Sequence, residues 1–561
     1  MKSKLFLSIL VGGALALTSC NKKLSEISAE YFTVNPSPLE EVGGKVPATV
    51  TGQIPEKFFR KNAEVTVTPY LVYGDQETPS QAYKLIGEDV NGNGQTVSYD
   101  NGGTVTVPVS FDYVPEMIKS ELVLDFYVVQ GGKTYTLPRI KVADGVIATG
   151  TFADAGTVTP ATTPDKFQRI INEQYNAEIK FLINQSNVRK GETESQQIAD
   201  FNAALANAQG NDRLEIEEVN ISSYASPDGK LDFNERLAQK REENTRKYLN
   251  KSFKDNKIEE FGELTADFTA EDWEGFKELV SQSDIQDKDL ILSVLSMYSD
   301  PEQREAEIRN LSSVFEQIAE EILPQLRRSR LTASINVIGK SDEEIMAAFE
   351  SDPSTLTVEE LLYCGSLTDD NAKRIKIYEA CTKNYPNDYR GYNNLGMCQF
   401  IAGDYDAAKS NFSKAANLAP DCKETQMNEA LCDIIDGNYD SANQKLGAAA
   451  GAEGLNEALG VYYMKRGDYA SAVNAFGDSK SNNAALAQIL TKDYSKARAT
   501  LAGIAEPDAT TYYLMAVLGA RTNNQQMVLS NLGQAFSKDS TLRDKAANDL
   551  EFANIDITSV L

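Results

Sequence analysis

The chain has 561 residues and a formal net charge of −27, with 82 acidic side chains, 55 basic side chains and no histidine. Such an acidic surface repels nucleic acid and anionic lipid headgroups, so neither is an expected partner. Without histidine the chain lacks an imidazole base, the usual Ser–His and Cys–His nucleophile pairs and the commonest metal ligand. We therefore expect no metal, no cofactor and no histidine-dependent catalysis in a chain long enough for three or four domains.

The first 20 residues have the features of an export signal. Two lysines precede an apolar run, and the stretch ends in Leu-Thr-Ser-Cys at Cys20. A basic start, a short apolar core and small final residues are typical of a secretory signal, and the run is too short to span a bilayer as a mature helix. The ending resembles a bacterial lipoprotein signal, which implies removal of residues 1–19 and lipid on Cys20.

The same resemblance implies a location for the protein. Residues 20–26 would be a lipidated tether, and several acyl chains hold a protein stably at a membrane that it does not span. Asn21, rather than an aspartate, resembles the second residue of lipoproteins that are sorted to the outer membrane. No acidic run of the kind that marks surface export in some lineages follows, so we expect the protein to face the periplasm.

Residues 27–150 are predicted to form strands. Apolar and polar residues alternate at 64–68, 104–107 and 121–126, as they do in half-buried strands. Gly131-Gly132 between two strand-like runs predicts a hairpin. Several short strands separated by turn residues favour an immunoglobulin-like β-sandwich.

The next stretch, residues 151–165, is rich in Thr, Ala, Gly and Pro and has no apolar period, so we interpret it as a linker. From residue 166 to residue 340 the pattern becomes mixed α and β. It predicts strands and helices in alternation, with a helical insertion at 269–323. The predicted strands are 177–183, 214–222, 263–268 and 331–337, with a helix at 194–208.

A strand, turn and helix at 219–249 form the most distinctive motif. The turn is Pro227-Asp228-Gly229, and Asn234, Leu237 and Arg241 then share one face of the helix. This arrangement resembles the OmpA-like peptidoglycan-binding family. In that family an aspartate near the strand end and the helical arginine hold the amine and the carboxylate of diaminopimelate.

The resemblance implies a peptidoglycan-binding site. Ser226 stands where the family has its aspartate, and the nearest carboxylate, Asp228, comes two places later. A hydroxyl does not neutralise an ammonium as a carboxylate does. Two arginines before the last predicted strand resemble the family's arginine pair. The candidate ligand-binding residues are Ser226, Asp228, Asn234, Arg241, Arg327 and Arg328.

Residues 341–561 are predicted to be helical and repetitive. Residues 389–422 form a 34-residue unit with aromatic and small residues at fixed positions, and a Gly-Asp-Tyr-like turn recurs four times, at 403–405, 437–439, 467–469 and 492–494. The unit resembles the tetratricopeptide repeat, a helix pair whose stacks bind proteins on a concave face. Five cysteines lie in this region, and an odd number leaves at least one thiol outside any disulfide.

The predicted architecture is therefore multidomain: an immunoglobulin-like sandwich, an OmpA-like α/β domain with a helical insertion, and a tetratricopeptide solenoid. Our leading hypothesis is a non-catalytic, lipid-anchored scaffold that binds periplasmic or outer-membrane proteins through its repeats. One alternative is a dedicated peptidoglycan anchor. Another is a cell-wall hydrolase that uses only carboxylates, although no carboxylate pair stands out.

Overall fold

A computed structural model describes residues 27–310 and 312–561. The predicted signal, the predicted lipidation site Cys20 and the tether lie outside the described residues. The chain forms two compact units: the first combines the chain up to Pro164 with Thr368–Leu561, and the second is Asp165–Leu367. The N-terminal strands and the C-terminal helices therefore belong to one unit, although about 200 residues separate them in sequence.

The first unit begins with β-sheets. Their strands are β1 (Phe32–Asn35), β2 (Leu39–Glu40), β3 (Lys45–Ile54), β4 (Ala63–Tyr73), β5 (Gln76–Pro79), β6 (Tyr83–Gly87), β7 (Gln95–Val97), β8 (Gly103–Asp112), β9 (Ser120–Gln130), β10 (Lys133–Asp144) and β11 (Val146–Ile147). One sheet has the order β1-β3-β8, a larger one the order β10-β9-β4-β6-β7 with β5 beside β4, and β2 pairs with β11. Both large sheets contribute to one buried core, which includes Val50 and Val107 from the first and Val65 and Phe126 from the second.

Strict alternation explains why these stretches form strands. Every second residue of β4 is buried, from Ala63 to Tyr73, because successive side chains of a strand point to opposite faces of the sheet. The predicted hairpin is confirmed: β9 and β10 pair antiparallel around Gly131 and Gly132, which both have positive φ, a conformation that glycine adopts readily. The N-terminal region is β-sheet-rich, as predicted.

The second unit is mixed α/β. Its strands are β12 (Ile170–Lys180), β13 (Leu214–Tyr224), β14 (Glu263–Thr269) and β15 (Arg328–Ile338), and its helices are α1 (Lys190–Thr193), α2 (Gln196–Gln209), α3 (Leu231–Asp255), α4 (Trp273–Gln282), α5 (Lys288–Met297), α6 (Pro301–Asn310), α7 (Ser312–Gln317), α8 (Leu323–Leu326), α9 (Asp342–Ser351) and α10 (Val358–Cys364). The sheet order is β12-β15-β13-β14, in which β13 runs antiparallel to β15 and parallel to β14.

The two largest differences from the predicted boundaries are at the start of β12 and at the start of the repetitive domain. Strand β12 begins at Ile170 instead of residue 177. The sequence pattern did not predict residues 170–176 as strand because they are exposed on both faces and show no apolar alternation. Helices α9 and α10, predicted at the start of the repetitive domain, belong to the α/β unit. Tyr363 of α10 stacks on Phe167, with ring centroids 4.4 Å apart, and this contact fixes α10 beside the start of the sheet.

The helical insertion lies between β14 and β15, as predicted. Helices α4 to α8 and a π-turn at Ile318–Ile322 form a separate apolar cluster that includes Phe276, Ile291 and Leu326. The insertion therefore has a core of its own beside that of the sheet.

The remaining helices of the first unit form the repeats. They are α11 (Asn371–Asn384), α12 (Tyr389–Ile401), α13 (Tyr405–Leu418), α14 (Lys423–Ile435), α15 (Tyr439–Ala448), α16 (Leu455–Lys465), α17 (Tyr469–Phe476), α18 (Asn482–Leu490), α19 (Tyr494–Ala502), α20 (Ala509–Arg521), α21 (Gln525–Lys538) and α22 (Leu542–Ala546). Five consecutive pairs run from α12/α13 to α20/α21. The sequence period shortens because α18 and α19 have 9 residues each, whereas α12 and α13 have 13 and 14.

Three cysteines of the repeats differ in exposure. Burial raises the pKa of the Cys398 thiol to about 11 and that of the Cys432 thiol to about 12, and both side chains are buried. Cys422, before α14, is half-buried. Because the thiolate is the nucleophile, a buried thiol with a raised pKa reacts slowly.

We therefore expect iodoacetamide at pH 8 to alkylate Cys422 in the folded protein and to leave Cys398 and Cys432 unmodified. Peptide mass spectrometry after brief labelling measures this, and labelling in urea, where all three should react, is the control. Labelling of Cys398 or Cys432 as fast as Cys422 in the folded protein would contradict the expected burial.

Candidate functional site

The first candidate site is the loop between β13 and α3 in the α/β unit. Arg241 lies on the inner face of α3, and its side chain is fully buried. Its guanidinium donates to the backbone carbonyls of Tyr224 at 2.7 Å, Gln185 at 3.0 Å and Leu182 at 3.3 Å. Burial and the nearby Arg327 lower the pKa of Arg241 to about 10, so the guanidinium stays charged at neutral pH.

Ser226, Asp228 and Arg327 form a connected group in the same region. The Ser226 hydroxyl donates to one oxygen of the Asp228 carboxylate. Arg327 donates from Nε to Ser226 Oγ at 3.2 Å and from Nη2 to Asp228 Oδ2 at 3.0 Å. The Asp228 and Arg327 side chains are only 18% and 12% exposed. The Asp228 carboxylate is therefore neutralised by an arginine of the same chain.

The helical insertion packs against the turn of this loop. Pro227 lines, together with Trp273 and Ile318, a cavity of about 10 Å³, which has room for one water molecule at most. Arg309 of α6 donates to the Asp228 backbone carbonyl at 3.4 Å. The turn is thus covered by protein on the side of the insertion.

The other two candidates have structural partners. Asn234 donates from Nδ2 to the Gly229 carbonyl at 3.2 Å and so holds the turn. Arg328 bonds Glu178 of β12 at 3.1 Å and Asp272 at 3.2 Å. Because Asp272 also caps the start of α4, Arg328 ties the insertion to the sheet and does not join the Asp228 group.

The structure therefore brings Ser226, Asp228 and Arg327 together beside Arg241 and engages each of them within the protein. A zwitterionic ligand would have to separate Arg327 from Asp228. Its carboxylate would also have to reach an N–H group of Arg241 that does not already donate to a backbone carbonyl. Separating a buried ion pair costs several kcal/mol. The role of these residues in peptidoglycan binding stays a prediction.

The second candidate site lies in the repeats of the first unit. We define the groove as the face formed by the first helices of the five pairs, α12, α14, α16, α18 and α20, and the strap as residues 149–163. The strap crosses these helices in reverse order, from Thr163 at α12 to Phe152 at α20. The segment whose composition indicates a linker is therefore bound along the repeats over most of its length.

Three asparagines hold the strap by its backbone. Asn394 of α12 donates to the Thr163 carbonyl at 2.9 Å and accepts from the Thr163 N–H at 2.9 Å. Asn428 of α14 makes the same pair of bonds with one strap residue, Ala161, at 2.8 and 2.7 Å. Each amide thus satisfies the N–H and the C=O of a single residue, as a neighbouring strand would.

Asn483 of α18 repeats the arrangement further along the groove. It donates to the Asp154 carbonyl at 2.9 Å and accepts from the Asp154 N–H at 2.9 Å. Asn393 adds a bond to the Ala161 carbonyl at 3.0 Å. We call the three two-bond contacts made by Asn394, Asn428 and Asn483 the asparagine brackets.

Small side chains let the strap approach the helices closely. The strap residues that are buried are Thr149, Ala153, Ala155, Val158, Pro160, Ala161 and Thr163. A Cβ at Gly156 would overlap the Tyr405 hydroxyl, and a Cβ at Gly150 would come within 2.9 Å of the Tyr469 hydroxyl. An alanine at position 156 therefore requires the Tyr405 side chain to move, and one at position 150 requires the ends of the Glu41 and Tyr469 side chains to move.

The N-terminal end of the strap makes a large aromatic contact. Phe152 packs on Tyr513 of α20, with ring centroids 4.9 Å apart, and the Lys545 ammonium lies 3.5 Å from the centre of the Phe152 ring. Burial lowers the pKa of Lys545. The Thr149 hydroxyl donates to Glu551 at 2.6 Å, so this end of the strap is held by polar and aromatic contacts together.

The asparagine brackets also have a signal in the sequence, separate from the pattern that predicts the repeats. Asn394 precedes Asp404, Asn428 precedes Asn438 and Asn483 precedes Asp493, each by ten positions, and the later residue is the N-cap of a second helix. A polar residue recurring on the buried side of three first helices indicates a shared ligand. The informative feature is the repetition of an amide at a position where an apolar residue would be expected.

In residues 27–310 and 312–561 no helix combines the length and apolar character needed to cross a bilayer. In the same ranges no cluster of three or more cysteine, aspartate and glutamate side chains has an arrangement suited to a metal ion.

We expect Arg241→Ala to lower the free energy of unfolding of the α/β unit by about 3 kcal/mol or more, because three buried carbonyls lose their donor. Arg236→Ala, on the exposed face of the same helix, is the matched control and should change stability by less than about 0.5 kcal/mol. Urea unfolding followed by circular dichroism compares them. Equal stability of the two variants would show that the Arg241 bonds do not hold the loop.

Comparisons with known proteins identify the repeats. Residues 389–422 match the tetratricopeptide-repeat family, and no curated protein matches the sequence. Among solved structures, the chain is similar to a tetratricopeptide-repeat protein from Parabacteroides merdae (14% identity, 37% of this chain and 91% of that chain, TM-score 0.30). It is also similar to PilF of Pseudomonas aeruginosa (14%, 38% and 98%, TM-score 0.28) and to yeast Tom70 (13%, 57% and 74%, TM-score 0.26). The C-terminal half therefore contains a tetratricopeptide-repeat region, and such regions indicate protein–protein interaction.

Proposed function

We propose that this chain is a non-catalytic scaffold lipoprotein, anchored to the outer membrane and facing the periplasm, which binds protein partners through its tetratricopeptide repeats. The observation that carries the proposal is the groove, whose asparagines bind a chain segment through its backbone groups. Because N–H and C=O groups are present in every polypeptide, a surface that recognises them can bind segments of other proteins. The expected lipid at Cys20 supplies the anchor.

The finer fold assignments belong to the same proposal. Two sheets around one core support an immunoglobulin-like sandwich as the part nearest the anchor. In the second unit, the order β12-β15-β13-β14 with a single parallel pair supports the OmpA-like assignment. We assign this domain a structural role, because its candidate ligand-binding side chains are bonded to one another and to the backbone.

Photo-crosslinking in cells tests the scaffold function. A photoreactive phenylalanine analogue at Ile401 or Ile435, exposed by 48% and 37% at the ends of α12 and α14, should give covalent adducts with envelope proteins. The control position is Tyr127 on the sandwich, which is exposed by 48%. Adducts at Tyr127 and none at the two repeat positions would contradict binding through the repeats.

Cell fractionation tests the lipid anchor. The Cys20→Ala variant should move the protein from the membrane fraction to the soluble periplasmic fraction. An unchanged amount in the membrane fraction would contradict the anchor.

Co-sedimentation with insoluble peptidoglycan tests the alternative of a wall anchor. We expect the wild-type protein to stay in the supernatant, because Arg327 neutralises Asp228 and no carboxylate of this group is left for an ammonium. The Ser226→Asp variant restores the family's carboxylate and should increase the pelleted fraction. Pelleting of the wild-type protein that is lost in Asp228→Asn would overturn our assignment and establish wall binding through this loop.

A further inference from the structure

The groove recognises a peptide by features that many sequences share. The bracket bonds join the asparagine amides to N–H and C=O groups, which every residue except proline carries. Asn394 also accepts from the Thr163 hydroxyl and Asn483 also donates to the Thr157 hydroxyl. The side chains that the strap buries in the groove are small, apart from the half-buried Phe152. The strap itself forms 3-10 turns at Thr149–Phe152 and Ala155–Thr157 and is irregular from Val158 to Thr163. The ligand class of this surface is therefore a peptide of small residues that can form such short turns.

The strap is joined to folded protein at both ends, so its local concentration at the groove is high. A short tether of this kind gives an effective concentration of the order of millimolar. A free peptide of equal intrinsic affinity must exceed that concentration before it displaces the strap.

We propose that the groove is a peptide-binding site whose resident ligand is the strap of the same chain, and that it accepts a small-residue peptide from another molecule only after the strap has left. The inference deepens the proposed function, on which it rests, by naming the surface and the ligand class. The strap is then an autoinhibitory segment, held by the brackets and by the side-chain contacts of Thr149 and Phe152.

The test uses a fluorescent peptide with the sequence of residues 148–165 and measures its binding by anisotropy. The first protein is the intact chain, to which we expect no binding at micromolar concentration. The second has residues 149–163 replaced by a Gly-Ser sequence of equal length, and it should bind the peptide with a Kd at least tenfold lower than that of the intact chain. Equal binding to both proteins would overturn the inference, as would no binding to a folded strap-replaced protein.

Matched substitutions locate the binding surface. In the strap-replaced protein, Asn428→Ala removes one bracket and should weaken binding about tenfold, since two hydrogen bonds together contribute about 1.4 kcal/mol or more. Asn531→Ala changes an asparagine on α21, a second helix, where it donates to the Met527 carbonyl of the same helix, and should leave the Kd unchanged. A peptide carrying the Gly156→Ala change should bind more weakly because of the Tyr405 hydroxyl. Equal affinities throughout would place the peptide outside the groove.

If the strap-replaced protein does not unfold cooperatively on heating, the intact Gly156→Ala protein takes its place. There the strap is weakened while the chain keeps its length, so in a titration up to millimolar peptide the wild-type peptide should bind with a lower apparent Kd than to the unaltered protein. Equal apparent Kd values for the two proteins would overturn the inference. If neither altered protein binds the peptide but crosslinks still form at Ile401 and Ile435, autoinhibition is rejected and the scaffold function is not.

Discussion

The asparagine brackets are the interaction on which the arrangement of the first unit depends. A segment without a strand partner cannot be buried unless something satisfies its N–H and C=O groups, since each unsatisfied buried group costs about 1–3 kcal/mol. Asn394, Asn428 and Asn483 supply both partners for one strap residue each. The amides therefore satisfy the backbone of the strap as a neighbouring strand satisfies the edge strand of a sheet, although they project from helices.

The position of the brackets explains why distant parts of the sequence fold as one unit. The strap follows directly on β11 of the N-terminal β-sheet region and crosses the first helices of the repeats, which begin more than 200 residues later. The two close glycine contacts add a steric requirement, because a larger residue at position 156 meets the Tyr405 hydroxyl. Backbone bonding fixes where the strap runs, and small side chains let it lie close enough for the bonds to form.

Patterns that repeat along the sequence predicted most of the fold. Contacts between residues that are far apart in sequence could not be predicted from such patterns. Alternation identified β4, β8 and β9, and the recurring turn identified the helix pairs, because both signals repeat along the chain. The strap has no period of its own, since its burial comes from helices far away in sequence. The same limitation applies to Arg241: the motif predicted its place on the helix, but its carbonyl partners at Leu182 and Gln185 belong to another segment.

The polar side chains of the loop around Arg241 are engaged within the protein. A zwitterionic ligand needs an unpaired carboxylate and an arginine with free donors. Here Ser226 provides a hydroxyl in place of the carboxylate, and Asp228 pairs with Arg327. The insertion covers the turn, and Arg241 bonds the backbone instead of a ligand. The polar groups of the loop are then satisfied within the protein, so its stability does not depend on a bound molecule. A carboxylate at position 226 would share Arg327 with Asp228, and an ammonium could neutralise the excess negative charge.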